Sequence, residues 1–567
     1  MSLTGTLNIG KTALATTQAL LQVTGNNISN AGNADYSRQV GRAVTNKDRM
    51  LKPGVFLGTG INLQSVTRQI DSALENRLRS AVSDNAASDT SQQWLGRVES
   101  VFNELSDTDL STAMSTFFNS WSDLANKPAD MGLRQVVLQN GNTVASRFRD
   151  LRTQLSSLVT DVDNRLEALS LNANSLAGDI AGLNKQIVSS EGGSGGIANG
   201  LRDQRDAKLR ELSQLIDIKT IEDGGTANVY VGSEPLVQGD QNRGVEFKTE
   251  SVDGEIVASL IFTRNQGTMS VTSGELGSLL GTRTTLRETV DKIDTLASSL
   301  IFEVNKIHSS GQGMTGAAAI NASNTVDDPA AVLTTDEAGL DFTPTTGSFV
   351  VHVKQKSTGQ VTSTLVNVDL DGLNTNDTTL TSLAADLSGI TNVGATISSG
   401  GQLRIAAASA NVEISFSQDT SGLLAALGVN GFFSGSDARD LAVDATVKQN
   451  PALLAASKNG QPGDNQTALA IAGLESQSLT ALNGSSLKET YQQTINEIAV
   501  DASEARNSSE STRVVYETLV AQRELLSGVS MDEEAINLVK YQRAYQAAAR
   551  VVSAVDEMMQ TMLAMLR

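Results

Sequence analysis

Few residues in this chain could do covalent or metal chemistry. His308 and His352 are the only imidazoles in 567 residues, and there is no cysteine. That excludes disulfides, thiolate nucleophiles, zinc ribbons and iron–sulfur clusters. A Ser-His-Asp triad or a His-based metal site must use one of the two histidines, and no His-Glu-x-x-His run exists. His308 falls near the end of a predicted helix, where an imidazole beside free carbonyls is structural. Gly311-Gln312-Gly313-Met314-Thr315-Gly316 spells G-x-G-x-x-G, but a helical pattern precedes it and a polar loop follows. A dinucleotide site needs a strand before and a helix after, so helix termination is the better reading. Asn367-Val368-Asp369-Leu370-Asp371-Gly372 begins like a calcium loop, yet its twelfth position is Thr378 where a bidentate Glu belongs. An Asp-Gly hairpin turn accounts for it. The pairs Asp161 with Asp163 and Asp327 with Asp328 read as solvated faces. No catalytic constellation, cofactor motif or metal set emerges, so the chain reads as a non-enzyme.

Composition narrows the field further. Lys and Arg number 43 against 63 Asp and Glu, a formal charge of −20, which argues against nucleic acid or an anionic membrane as partner. Aromatics at 4% are thin for a saccharide-stacking groove. At about 150 residues per domain the length predicts about three to four domains. No apolar run is long enough to span a membrane. Gly5, Asn8, Gly10, Lys11 and Gln18 interrupt the start, so no cleavable signal peptide is expected.

The sharpest patterns are helical seams at the two ends. Leu538, Tyr541, Tyr545, Ala548, Val552, Val555, Met559, Met562 and Leu566 recur in three-four alternation, the coiled-coil period, which makes the two tyrosines packing residues. Arg543, Gln546, Arg550, Ser553, Glu557, Gln560 and Arg567 repeat on the opposite side. Ser530 with Glu533 predicts a capping box, Asp532 and Glu534 suit the positive end of the helix dipole, and Gly528 marks the break before it. At the other end Leu7, Leu14, Leu21 and Ile28 lie seven apart, with Leu3, Gly10, Thr17 and Thr24 between them. Ile9, Ala13, Leu20 and Val23 widen the apolar arc to about 200°, more than one neighbour covers. Two end helices of matching period predict pairing with each other and with copies of themselves. Loop closure costs only about 0.6 kcal/mol per doubling of length, so their separation is no obstacle.

The expected fold class is α+β multidomain: a discontinuous helical rod, with terminal coiled-coil helices paired from both chain ends and inserted β-rich domains. Residues 1–35 plus 529–567 form the terminal coiled coil, and 36–70 an extended or hairpin connector. Residues 71–216, 276–316 and 436–528 form the helical body. Residues 217–275 are a small β insertion, and 317–435 a larger one signalled by alternating runs such as Ser348-Phe349-Val350-Val351-His352-Val353.

Gly25-Asn26-Asn27-Ile28-Ser29-Asn30-Ala31, followed by Asp35-Tyr36-Ser37-Arg38-Gln39, resembles the N-terminal signature of the bacterial flagellar rod, hook and hook-associated proteins. Gly528 to Ala535 and Tyr541 to Ala547 resemble the matching C-terminal signature. Leu201-Arg202-Asp203-Gln204-Arg205-Asp206, Asn305-Lys306-Ile307-His308 with Gly311, Asn450-Pro451 and Gly463-Asp464-Asn465 narrow the resemblance to the hook-associated branch. It implies a secreted structural subunit of the flagellum, exported unfolded by the type III route without a cleavable signal. It also implies self-polymerisation through the N- and C-terminal helices into a ring at the junction of hook and filament. The implied partners are copies of itself, the hook protein, the next hook-associated protein, and a cytosolic export chaperone on the C-terminal helix. Within that frame Arg543, Gln546, Arg550, Glu557 and Gln560 are expected to line the export channel, since their stripe keeps a constant phase opposite the seam. The competing readings are a hook-like or flagellin-like axial protein, an axial scaffold carrying a glycan-binding or hydrolytic β insert, and a cytosolic coiled-coil scaffold.

Overall fold

A computed structural model describes residues 3–102, 109–193, 196–252, 255–373, 376–461 and 463–565. Leu566 and Arg567, expected in the seam and the polar stripe, lie outside them.

The chain opens with helix α1 (Leu3–Ser29), then strands β1 (Gln39–Thr45), β2 (Arg49–Lys52), β3 (Val55–Leu57) and β4 (Ile61–Arg68). Helices α2 (Ser72–Phe102), α3 (Leu110–Asn126), α4 (Met131–Glu191) and α5 (Asn199–Leu215) follow. Strands β5 to β10 occupy 218–261, and α6 is Gly274–Ser309. The next stretch holds β11 (Ala319–Asn321), β12 (Gly347–Gln355), β13 (Val361–Val368), α7 (Leu380–Ser388), β14 (Val393–Ile397), β15 (Leu403–Ala407), β16 (Val412–Ser417) and α8 (Leu423–Leu427). After the short β17 (Phe433–Ser434) and β18 (Ala442–Val443) come α9 (Ala445–Gln449), α10 (Gln466–Gly473), α11 (Leu487–Ser527) and α12 (Met531–Met565). The fold is α+β and multidomain, with long helices at both ends and small antiparallel sheets between them.

Contacts divide the chain into two compact units. The first is 1–94, 162–283 and 503–567; the second is 95–161 and 284–502. This differs from the five-part layout read from the sequence: the expected helical body is shared between the units, and the chain ends are grouped with 217–275. Within the first unit α1 packs on α12 and on the β1–β4 pair, and β4 is in turn paired to α5 through Arg68.

In the second unit the β-rich stretch has its own core. Phe349, Val351 and Val353 of β12 face inward with Ile414 and Phe416 of β16, in the register Val351↔Phe416 and Val353↔Ile414. The alternation read from the sequence is what puts them on one face. Helix α3 starts at Asp109, whose carboxylate accepts from the Thr112 N–H at 2.6 Å. Its buried Phe117 and Trp121 pack on Phe432, with ring centroids 5.4 Å away in both cases.

The internal motifs turn out to be staples for these loops. Asn305 accepts from the N–H groups of Phe432 and Phe433 and donates to the Phe433 carbonyl. His308 is fully buried; Nδ1 donates to the Asn430 carbonyl at 2.8 Å, and Nε2 accepts from the Ala455 N–H at 2.9 Å. Asp464 collects the Ser457 hydroxyl and the amides of Lys458 and Asn459. The glycines of the G-x-G-x-x-G run serve close approach: a Cβ on Gly313 would meet the Ala452 carbonyl oxygen at 2.5 Å.

Burial pushes the His308 imidazole down to about 4. A depressed histidine favours the neutral form, so its contribution is complete above the ordinary value near 6.5 and is lost as pH falls towards 4. The span corresponds to about 3 kcal/mol. Thermal unfolding between pH 7 and 4 should show this: His308→Gln, whose amide can both donate and accept, is expected to have the shallower loss of stability. Parallel pH profiles would contradict the assignment.

Candidate assembly site

Helices α1 and α12 pack along each other in the first unit. Asn27 touches Glu534 at one end, and Gly10 lies against Val552 further along, so the helices run antiparallel. A Cβ on Gly10 would come within 2.7 Å of Val552 Cγ2. The missing side chain is what allows this approach, since valine is rotamer-restricted in a helix and cannot step aside cheaply.

The buried face of α1 is Gly10, Thr16, Thr17, Leu20, Thr24 and Asn27. Of the expected seam, Gly10, Thr17 and Thr24 belong to this face, while Leu7, Leu14, Leu21 and Ile28 are only half-buried beside it. On α12, Ala548 and Val555 are buried, and Leu538, Tyr541, Val552 and Met559 are half-buried. Tyr545 and Met562 are exposed, departing from the expected seam. The reason for Met562 is length: α12 has 35 residues against 27 in α1, about 12 Å more helix, so its far end outruns its neighbour. Arg543, Gln546, Arg550, Glu557 and Gln560 are all exposed.

The inner end of the pair is closed by a polar clamp. Asn27 uses its full hydrogen-bonding capacity. Its amide donates to the Gln39 carbonyl at 2.9 Å and to Glu534 at 3.2 Å, and its oxygen accepts from the Tyr36 hydroxyl at 2.7 Å and the Gln39 N–H at 3.0 Å. Glu534, 2% exposed, also receives Arg38 at 2.8 Å, while Glu533 takes the other arm of that guanidinium at 2.7 Å. The Arg38 N–H donates to the Ser527 carbonyl at the end of α11. One residue therefore ties the last turn of α11 to the first turn of α12.

The expected capping box is half formed. Ser530 Oγ accepts from the Glu533 N–H at 3.4 Å, but the Glu533 carboxylate goes to Arg38. Both carboxylates sit where the α12 dipole favours negative charge. Burial works against the Arg38 charge, but Glu534 and Glu533 more than offset it, leaving the guanidinium above its ordinary pKa. Burial, helped by Asp203, pushes the Tyr36 phenol up to about 12, so it remains a donor.

Around the clamp lies a second tier of buried charge. Arg68 bridges Asp203 at 2.9 Å and Asp206 at 2.7 Å, binding β4 to α5. Arg523 of α11 reaches Glu75 of α2 and the Ala34 carbonyl, and Arg210 pairs with Asp35 and Glu75. Arg205, with no exposed surface, bonds Asn184, the Gly225 carbonyl and Glu222. Within the Leu201–Asp206 motif, Asp203 and Asp206 thus hold β4, while Arg202 holds Glu191 and Arg205 the loop at Gly225. Arg68, Glu75, Arg210 and Arg523 escape sequence reasoning, because their partners in this tier lie more than a hundred positions away. Asp163, read as part of a solvated face, is instead paired with buried Arg283 at 2.6 Å.

Among the described residues one set of three acids, Asp369, Asp371 and Asp377, brings an oxygen each within 4.8 Å of the others. The loop uses them itself: Asn376 donates to Asp369, the Leu373 N–H to Asp371 and the Gly372 N–H to Asp377.

Residues 95–321 match the family model described as flagellar hook-associated protein FlgK helical domain, and 525–565 that of flagellar basal body rod FlgEFG protein C-terminal. The chain is 25% identical to flagellar hook-associated protein 1 of Escherichia coli (strain K12), over 96% of this chain and 97% of that one. It is also 25% identical to the protein of the same name from Bacillus subtilis (strain 168), over 98% and 96%. A solved structure, the flagellar hook junction protein FlgK from Burkholderia pseudomallei, covers 80% of this chain and 100% of its own at 17% identity and a TM-score of 0.49.

Glu534→Ala leaves the Arg38 guanidinium and one Asn27 donor without their buried acceptor, a loss of about 3 kcal/mol. Hydrogen exchange should accelerate over 531–538 in that variant. Arg38→Met with Glu534→Leu should recover much of the protection; equal exchange in wild type and Glu534→Ala would mean the clamp holds nothing.

Proposed function

We propose that the chain is a member of the flagellar hook-associated protein 1 family, which it resembles over nearly its full length, and that it is a structural, non-catalytic subunit of the junction between flagellar hook and filament, polymerising through its terminal helices. The observation that carries the proposal is the α1–α12 pair. It is anchored at one end by buried polar groups, and it leaves Ile536, Val539, Val551, Met558, Met562, Leu563 and Met565 exposed along α12. A monomer gains nothing from that surface, and a row of apolar side chains is suited to other copies packed around it.

In this reading the half-buried Leu7, Leu14, Leu21 and Ile28, with Leu538, Tyr541, Tyr545, Val552, Met559 and Met562, complete their burial between subunits, beside the already buried Val555. Arg543, Gln546, Arg550, Glu557 and Gln560 face the central channel. The hook protein lies on one side of the ring and the next hook-associated protein on the other. Before export a cytosolic chaperone covers α12, whose exposed apolar residues would otherwise self-associate. The subunit then leaves the cell unfolded by the flagellar type III route, and the lack of cysteine suits that passage.

Val551→Asp with Met558→Asp tests the proposal. Both side chains already reach water, so the purified chain should keep its far-ultraviolet spectrum and melting behaviour while disappearing from sheared flagella. Normal incorporation would remove α12 from the assembly, and a map of the assembled junction with the Arg543–Gln560 stripe inside helix–helix contacts would remove the channel assignment.

A further inference from the structure

Strands β2 and β3 form a hairpin that the rest of the first unit leaves uncovered. Pro53-Gly54 makes its turn, with Gly54 at φ 83°. Met50 and Phe56 are cross-strand partners on one face, yet they are 58% and 62% exposed, and Leu51 beside them is 60% exposed. A two-stranded hairpin is marginal in water by itself, and a methionine–phenylalanine pair gains little until something covers it. The hairpin is also basic: Lys47, Arg49 and Lys52 stand against Asp48 alone, in a chain of net charge −20.

A complementary surface exists in the same unit. On α11, Glu510, Val514, Glu517, Ala521, Glu524 and Leu525 fall on one face at three- and four-residue spacing. Val514 is 50% exposed and Leu525 87%. Three carboxylates there stand against Arg513, which pairs with Glu510 at 2.6 Å and Glu517 at 2.7 Å, and against the buried Arg523, 3.8 Å from Glu524, so the exposed face stays acidic. The apolar residues run along one side of this face and the carboxylates along the other, the converse in charge of the hairpin.

We propose that the β2–β3 hairpin of one copy docks on this α11 face of a neighbouring copy, with Met50 and Phe56 on Val514 and Leu525, and Arg49 and Lys52 beside Glu517 and Glu524. The contact is heterologous: hairpin and helix face are different patches of one chain, so each copy offers one donor and one acceptor, as a ring or helical array requires. It rests on the reading of the chain as a self-assembling axial subunit, and it adds a lateral contact outside the terminal helices.

The absence of native cysteine makes disulfide trapping clean. Phe56→Cys and Val514→Cys are expressed singly and together in cells lacking the native gene, and isolated flagella are oxidised. A ladder of linked chains from the double variant, with none from either single variant, is expected. Hairpin-to-hairpin or helix-to-helix dimers from a single variant overturn the docking. A link from the Phe56→Cys chain to a different flagellar protein overturns it too, as does an unlinked double variant that is present in the flagella. If the wild-type chain is itself absent from flagella, the functional reading fails instead. A charge exchange covers the case of a cysteine variant that does not fold: Lys52→Glu and Glu517→Lys should each lower incorporation severalfold, and the two together should restore it. Losses that simply add contradict the contact.

Discussion

Glu534 is a carboxylate with almost no exposed surface at the first turn of a helix, and it is the point on which the two ends of the chain converge. A buried carboxylate is costly unless every lone pair it presents is met. Here Asn27 and Arg38 meet it, and each of these is committed elsewhere: Asn27 to the backbone of Gln39, Arg38 to the carbonyl of Ser527. Moving any of them strands the others. The clamp therefore fixes the register of α1 on α12 and the break between α11 and α12, which a greasy seam alone would leave free to slide.

The character of the seam follows from that division of labour. Where α1 meets α12, Gly10 brings the backbones close at Val552 and Asn27 reaches Glu534, while the buried Thr16 and Leu20 turn to Ile61 and Gly41 of the β1–β4 pair. Such a face gives a close, specific fit and modest hydrophobic gain, while the larger side chains stay at the rim. With register held by polar groups at one end, the pair can keep apolar surface on its outside without collapsing on itself. In the proposed assembly, that reserve of surface is where copies of the subunit meet. The second tier of charges, from Arg68 to Arg523, extends the anchorage to α5 and α2.

Much of this was legible in the sequence, for identifiable reasons. Helical period marks α1 and α12 because burial on one side imposes it, and strict alternation marks β12 because Phe349, Val351 and Val353 all enter one core. The short motifs could be read as signatures but not as mechanics. Asn305 and His308 are staples for loops more than a hundred residues away, and Asn27 finds Glu534 across 507 positions. No local pattern encodes a hydrogen bond of that span. Periodicity placed Gly10, Thr17 and Thr24 in the seam between the leucines, but it could not say that they, and not the leucines, are the buried ones. The capping box was half right because Glu533 had a second suitor: Arg38, a stronger partner than a backbone N–H.

The chain ends are held from the clamp outward, and amide hydrogen exchange on the full-length monomer measures this directly. The strongest protection is expected at residues 24–39 and 531–538, declining along both helices towards Leu3 and Met565. Uniform protection along α1 and α12, or a maximum at their far ends, would show that the apolar seam holds the pair and that the buried Asn27–Arg38–Glu534 contact does not.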